Sequence, residues 1–301
     1  MNSARTRAYL MLLAVAVIWG IASPVIKYTL GGFSPIVFLT YRFGISTIIA
    51  LTSFAVFGLH LPTDKKTFWL MLFCGFLTST VSLGLLFFGL NDTTVLDSSL
   101  ISLASPLIIS MAGVAFLNEK ITKREKIGMG IAVIGTLLTV IEPIIQRGHE
   151  YLKFSGNLLI LGYVVATVIV AVITKKLLKN GVNPLTLTNF SFIIGFISFL
   201  PFVFITSQKS LLSASFSYHL GVFYMAIISG SLAYFLSNKA QKTIEIGEQS
   251  LFAYLYPVLS LPIAVLWLGE KITPTFIVGA IIITIGVAIA EIKRSRYNNS
   301  L

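Results

Sequence analysis

Ser105–Thr122 reads SPLIISMAGVAFLNEKIT and Tyr256–Thr273 reads YPVLSLPIAVLWLGEKIT, two apolar runs that each carry a proline at the second position and end on the same EKIT tetrad. Residues 100–122 lie over 251–273 without a gap. The same offset of 151 pairs Ser99 with Ser250, Val114 with Val265, Leu117 with Leu268, Gly128 with Gly279, Gly135 with Gly286 and the acidic Asp97 with Glu248. The chain therefore contains an internal repeat, and a repeat built of hydrophobic helices points toward membrane carriers sooner than toward a catalyst.

Working outward from that repeat, composition selects the solvent. Hydrophobic residues make up 56% of the 301, charged residues 11%, and mean hydropathy is +0.91. A water-soluble fold of this length could not hide so much apolar surface, whereas a bilayer removes the need to. Windows long enough to cross about 30 Å of hydrocarbon predict spans at 8–29, 36–57, 68–90, 95–117, 126–142, 155–174, 185–206, 219–239, 248–268 and 274–291. The expected fold is an all-α membrane protein of ten transmembrane helices. Continuous apolar runs exclude the alternation of a transmembrane barrel. The first span is too long for a secretory signal and is kept as a helix. The lone Cys74 says nothing about redox compartment, and no metal-ligand cluster or cofactor motif is visible.

Loop charges set the orientation. With a cytoplasmic N-terminus, sixteen Lys and Arg fall inward and five outward, while Arg42 lies inside a span. The positive-inside rule places both termini in the cytoplasm. Basic flanks against anionic headgroups also account for the net charge of +11, so nucleic acid is not needed as a partner. Five spans per half is an odd number, so the second copy enters from the opposite side. The halves, 8–142 and 155–291, form an inverted repeat joined by the polar stretch Glu142–Ser155. Two such halves can exchange conformations and expose a central site to each side in turn.

Candidate site residues follow from helical spacing. Trp19, Ser23 and Lys27 share a face of span 1, which Pro24 can interrupt. Span 3 offers Thr78 and Ser82, span 4 Ser98, Ser102 and Ser105, and span 6 Tyr163 and Thr167. Span 8 carries the clearest polar stripe, Ser231, Tyr234, Asn238 and Gln241, which in hydrocarbon must face protein or water. At the positions aligned with those serines, span 9 has Gln249, Ala253 and Tyr256, with Tyr254 as a further aromatic. The solute-binding set is Trp19, Ser23, Thr78, Ser82, Ser102, Tyr163, Tyr234, Asn238 and Tyr254. Its π faces, hydroxyls and amides suit amphipathic organic molecules. Packing and interhelical hydrogen bonding are the competing readings for the serines and amides.

Asp97, Glu248 and Arg42 are candidates for gating or proton coupling. Asp97 and Glu248 open spans 4 and 9, where the helix dipole alone explains an acid. Arg42 has no counterpart in the second half. It can pair with an acid, attract a substrate carboxylate or anchor the outer boundary. Pro24, Pro106 and Pro257 are candidate hinges because each lacks a backbone donor.

Trp19–Lys27 (WGIASPVIK), the Pro35 to Arg42 spacing, and the two runs ending at Thr122 and Thr273 together resemble the EamA branch of the drug/metabolite transporter superfamily. The resemblance covers nearly the whole chain. It implies two EamA repeats, transport without ATP hydrolysis, and a cavity lined mainly by spans 1, 3, 4, 6, 8 and 9. Members include exporters of amino acids, aromatic ones among them, and carriers of other small metabolites.

The expectation is a multi-pass protein of a prokaryotic cytoplasmic (inner) membrane, monomer or homodimer, that exports amino acids or related small solutes. The alternatives are a membrane scaffold or binding protein, or a carrier of a cationic drug, sugar or nucleotide derivative. An enzyme would need paired intramembrane carboxylates, a metal cluster or an activated nucleophile, none of which the sequence supplies. It also lacks a phosphate-binding glycine–lysine loop.

Overall fold

A computed structural model describes residues 3–117, 123–145, 151–204 and 214–291; these are helices joined by short turns and loops, with no strand among them. In chain order the helices are α1 (Ala4–Thr29), α2 (Pro35–Phe57), α3 (Lys65–Asp92), α4 (Val95–Leu117), α5 (Lys123–Ile145), α6 (Lys153–Lys179), α7 (Pro184–Val203), α8 (Phe216–Gln241), α9 (Ile246–Leu268) and α10 (Pro274–Glu291). Eight are long and apolar enough to cross a membrane. The exceptions, α5 and α10, hold shorter apolar cores, Gly130–Thr139 and Pro274–Gly286. Large apolar side chains such as Leu10, Ile48, Val56, Trp69, Ile197 and Leu266 point outward. That outer surface is stable only against lipid.

Local chemistry starts and stops these helices. Pro35 and Pro184 occupy the first turns of α2 and α7, where a missing N–H costs nothing. The Asp64 carboxylate caps α3 by accepting from Thr67 N at 2.9 Å, and Thr94 caps α4 by accepting from Asp97 N at 3.1 Å. These amide and hydroxyl donors from Thr67 hold Asp64 below the usual carboxylate range. Gly269 ends α9 in the left-handed region, φ 68°, and that turn carries Glu270 back over the bundle.

Packing between the halves obeys an exchange rule. Helix α1 packs on α8 and α9, and α6 packs on α3 and α4. Helix α2 packs on α7, and α5 on α10. Renumbering the first five helices as the last five leaves this set of neighbours unchanged, as a pseudo-two-fold axis requires. At the α2–α7 crossing, Phe43 stacks on Phe192 with centroids 5.8 Å apart. Between α5 and α10, a Cβ on Gly286 would lie 2.6 Å from the Ala132 nitrogen, so glycine is what permits this approach.

The exchange rule extends to single side chains. The Lys27 ammonium, at the end of α1, donates to the carbonyls of Leu90, Asn91 and Thr93 at 2.8, 3.1 and 2.7 Å, closing the C-terminus of α3. Lys175, 148 residues on, does the same for α8 by donating to the carbonyls of Gln241 and Ile244. Cations on orphan C-terminal carbonyls satisfy those groups and oppose the helix dipole. Lys175 thus lies inside α6 and is buried rather than in a basic flank. The first EKIT tetrad and residues 146–150 of the joint lie outside the described residues.

Candidate functional site

Where the halves meet, the helices enclose a cavity of about 230 Å³. Seven helices supply its wall: α1, α3, α4, α6, α8 and α9, and α2 through Arg42. Of the nine residues expected to touch a solute, Trp19, Ser23, Thr78, Ser82, Ser102, Tyr163, Tyr234 and Asn238 line it. Tyr254 does not line it and packs on Leu107 and Ala132. The cause is local. Leu251–Tyr254 is a 3₁₀ turn, which advances each residue by about 120° instead of about 100°, and the aromatic reaching the cavity is Tyr256. Lys27 likewise leaves the Trp19–Ser23 face to cap α3.

Trp19 anchors the aromatic wall. Its ring meets Tyr234 edge-on at 5.0 Å and Tyr256 at 6.1 Å, and Tyr234 meets Phe192 at 5.4 Å. Such edge-to-face contacts fix ring orientation beyond what burial alone does. The indole N–H donates to the Ser229 carbonyl at 3.0 Å. Ser229 sits in a π-helical stretch, Tyr224–Leu232 of α8, and α3 has the equivalent stretch at Leu77–Ser82. A wider turn loosens the i→i−4 ladder and exposes carbonyls to side-chain donors. It also turns Ser231 off the stripe, where its hydroxyl donates to the Ala226 carbonyl, and brings Ser229 to the wall instead.

The polar lining residues bond across helices. The Asn238 amide donates to Thr188 Oγ1 at 2.9 Å, Gln241 to the Ala171 carbonyl at 3.1 Å and Gln249 to Ser237 Oγ at 2.8 Å. Ser82 and Thr167 share a hydrogen bond of 3.1 Å, as do Ser99 and Ser260 at 2.9 Å. These residues line the cavity and tie helices together at once. Gln249 Oε1 retains no partner.

Both α4 and α9 lose regular α geometry one turn before their prolines. In α4, Leu103 N and Ala104 N donate three residues back, to Leu100 and Ile101, just ahead of Pro106. The 3₁₀ turn of α9 stands in the same place ahead of Pro257. The missing N–H and the ring's clash with the carbonyl four residues back account for both. Helix α1 by contrast runs through Pro24 unbroken.

The acids lie off the cavity. Asp97 is 2% exposed and pairs with Lys153 at 3.0 Å; Glu248 pairs with Arg5 at 2.9 Å and accepts from the Tyr9 hydroxyl. Arg5 and Lys153 are 148 apart and Asp97 and Glu248 are 151 apart, so these are two copies of one cross-repeat contact, α1 to α9 and α6 to α4. They stand at opposite ends of α1, since Lys27 at its far end reaches Thr93, which bonds Asp97.

Glu270, the first residue of the second EKIT tetrad, caps a helix of the other repeat. Its two oxygens accept from Val95 N at 2.8 Å and Leu96 N at 2.9 Å, capping α4 from the other repeat. Burial raises its carboxyl above the usual range, and the two amides and Lys27 pull it partly back. The equivalent Glu119 lies outside the described residues.

Arg42 is 1% exposed, and its Nε and Nη1 have no hydrogen-bond partner. Its guanidinium lies over the rings of Phe43, Phe87 and Phe192 at 5.4, 5.4 and 6.0 Å. It sits in the cavity wall and not at an outer boundary. Among the described residues, no group of three or more His, Cys, Asp and Glu could hold a metal.

Comparison with known proteins supplies the context. The profile of the EamA-like transporter family matches residues 6–141 and 154–291. The uncharacterized transporter YyaM of Bacillus subtilis is 28% identical over 96% of both chains. A probable amino-acid metabolite efflux pump of Salmonella typhimurium is 25% identical over 92% of both. One crystal structure superposes with a TM-score of 0.67 over 94% of this chain and 97% of its own, at 17% identity, and so shares the fold.

Proposed function

The chain belongs to the EamA-like transporter family, and from that premise we propose that it exports amino acids or related small organic solutes by alternating access. The observation that carries this reading is the cavity itself, built from both halves and furnished with aromatic faces, hydroxyls and amides. Relatives described as amino-acid metabolite efflux pumps favour that substrate class. In this reading the chain crosses a prokaryotic cytoplasmic membrane ten times, with both termini inside. Its two inverted five-helix repeats are 8–142 and 155–291, and it works as a monomer or homodimer.

Trp19, Ser23, Thr78, Ser82, Ser102, Tyr163, Tyr234 and Asn238 contact the solute. The pairs Arg5–Glu248 and Lys153–Asp97 act as latches at the two faces, one released while the other holds. Helices α4 and α9 bend at the irregular turns before Pro106 and Pro257. Because each latch joins the two repeats, breaking it lets one repeat move against the other.

Counterflow in proteoliposomes tests the reading, with labelled amino acids, polyamines, sugars and aromatic cations, with and without a pH gradient. The expected result is saturable amino-acid exchange that falls strongly in Trp19→Ala. Absence of saturable flux for every solute, in protein shown to be folded, overturns it.

A further inference from the structure

Three cations of the bundle can be compared directly, Arg42 and Lys175 buried and Lys27 half-buried. Lys27 and Lys175 are saturated by backbone carbonyls at helix ends, as structural cations in a low-dielectric interior must be. Arg42 is more deeply buried than Lys175, yet Nε and Nη1 donate to nothing. The three phenylalanine rings around it offer π faces, which attract the charge but accept none of its five N–H bonds as a carboxylate would. None of the cavity-lining residues is acidic, and Arg42 is the single charged residue among them.

A planar guanidinium that lies in a cavity wall with Nε and Nη1 buried and unpartnered matches a planar carboxylate, which it can grip with two parallel hydrogen bonds. We propose that Arg42 is the anion-binding point of the cavity and that the solute carries a carboxylate, seated on the guanidinium with its apolar body along Tyr234, Trp19 and Tyr256. This rests on the transport reading above and names the substrate class within it. The aromatic ladder supports the placement, because Phe192 touches both the guanidinium and Tyr234, and Tyr234 touches Trp19. One monocation suits a monoanion. A phosphate dianion would stay half-compensated in a wall that has no second cation.

The test compares matched pairs that differ only in the anion: L-phenylalanine with L-phenylalaninamide, L-leucine with L-leucinamide, and 3-phenylpropionate with 3-phenylpropionamide. Each is titrated against thermal unfolding of the purified full chain in detergent. At least one carboxylate is expected to stabilise at a concentration about 30-fold or more below its amide, the scale of losing one partner of a buried charge pair. That ratio should fall toward one in Arg42→Gln and only partly in Arg42→Lys. A purely structural arginine would lower the melting temperature of the variants without moving the ratio. Should Arg42→Gln fail to fold, the wild-type ratio and Arg42→Lys still decide. Parity of acids and amides in the wild type, or no stabilisation by any acid of the series, overturns the proposal. Saturable counterflow of solutes without a carboxylate would leave transport standing and remove Arg42's role. Acid-selective stabilisation without flux of any solute would remove transport instead.

Discussion

Replacing Glu270 with alanine removes both acceptors from the first turn of α4. The amides of Val95 and Leu96 lose partners 2.8 and 2.9 Å away, and both residues are buried, so water cannot easily substitute. A hydrogen bond to a charged group contributes about 1.5–3 kcal/mol. A carboxylate at a helix N-terminus adds about 0.3–2 kcal/mol. These overlap because they describe the same charge and the same amides, and burial of the carboxylate offsets part of both. The expected net loss is about 2–4 kcal/mol. Glutamine keeps one acceptor oxygen and sheds the charge that burial disfavours, so Glu270→Gln should lose about half as much.

Reversible unfolding by SDS in mixed micelles, followed by circular dichroism, measures both variants. Alanine unfolding at the wild-type SDS fraction, or glutamine doing more harm than alanine, would refute the reasoning. Proton linkage gives an independent check. Because burial raises the Glu270 carboxyl, the folded chain holds this proton more tightly than the unfolded chain does. Its contribution favours folding at pH values below the ordinary glutamate range and is lost as pH rises through the folded value. Wild type should therefore gain on Glu270→Gln as pH falls from 7 toward 4.

Three further outcomes are expected. Gly286→Val should cost about 1–3 kcal/mol or more, since its Cβ meets the Ala132 nitrogen and the Gly128 carbonyl at 2.6 Å and backbone cannot step aside; an unchanged unfolding midpoint would contradict this packing. Trp19→Phe keeps a π face but loses the bond to the Ser229 carbonyl, costing about 1 kcal/mol in stability, with solute affinity falling less than in Trp19→Ala. Asp97→Asn and Glu248→Gln should each increase thiol labelling of single-cysteine reporters at their own face of the bundle, in a background where Cys74 is replaced. Identical labelling patterns in the two variants would sink the latch assignment.

Much of the scaffold could be read from spacing. The 151-residue offset exposes the repeat because α4 and α9 have equal length, and the polar lining is legible because six helices, α1, α3, α4, α6, α8 and α9, each bring several residues to the cavity. What escaped was local departure from regular helical spacing. Regular α spacing through Leu251–Tyr254 would put Tyr254 in the wall, but that segment is a 3₁₀ turn, and regular α spacing would put Ser231 there too, but it lies in a π stretch. The proline at 257 was the available signal for the first. The second has no marker in the sequence. The roles of Lys27, Lys175 and Glu270 were also hidden, since each acts on backbone groups of the other repeat or of a distant helix, and no pattern of side-chain types records a carbonyl left open. Only a third kind of evidence, the 148-residue spacing of Lys27 and Lys175 once both roles are known, makes their equivalence visible.

The groups that come in equivalent pairs and those that do not divide by task. Lysine caps, cross-repeat ion pairs, π stretches and pre-proline turns are each present twice, once per half. A carrier that exchanges two mirrored conformations needs these twice, because whatever one half does at one face the other must do at the opposite face. The wall chemistry is single-copy. Phe43 stacks on Phe192, its equivalent by the 149-residue offset that pairs Pro35 with Pro184 at the starts of α2 and α7, yet the residues just before them are Arg42 and Ser191. Trp19 corresponds by the 148-residue offset to Thr167, and Ser23 to Ala171. A solute with one carboxylate and one apolar end would bind a symmetric wall equally well in two opposed poses, and under the Arg42 proposal one guanidinium off the pseudo-axis removes that ambiguity. Installing a second by Ser191→Arg should therefore reduce affinity for a monocarboxylate rather than double it, through repulsion between two buried cations across the Phe43–Phe192 contact. Tighter carboxylate binding in that folded variant would show that the asymmetry of the wall is incidental to recognition.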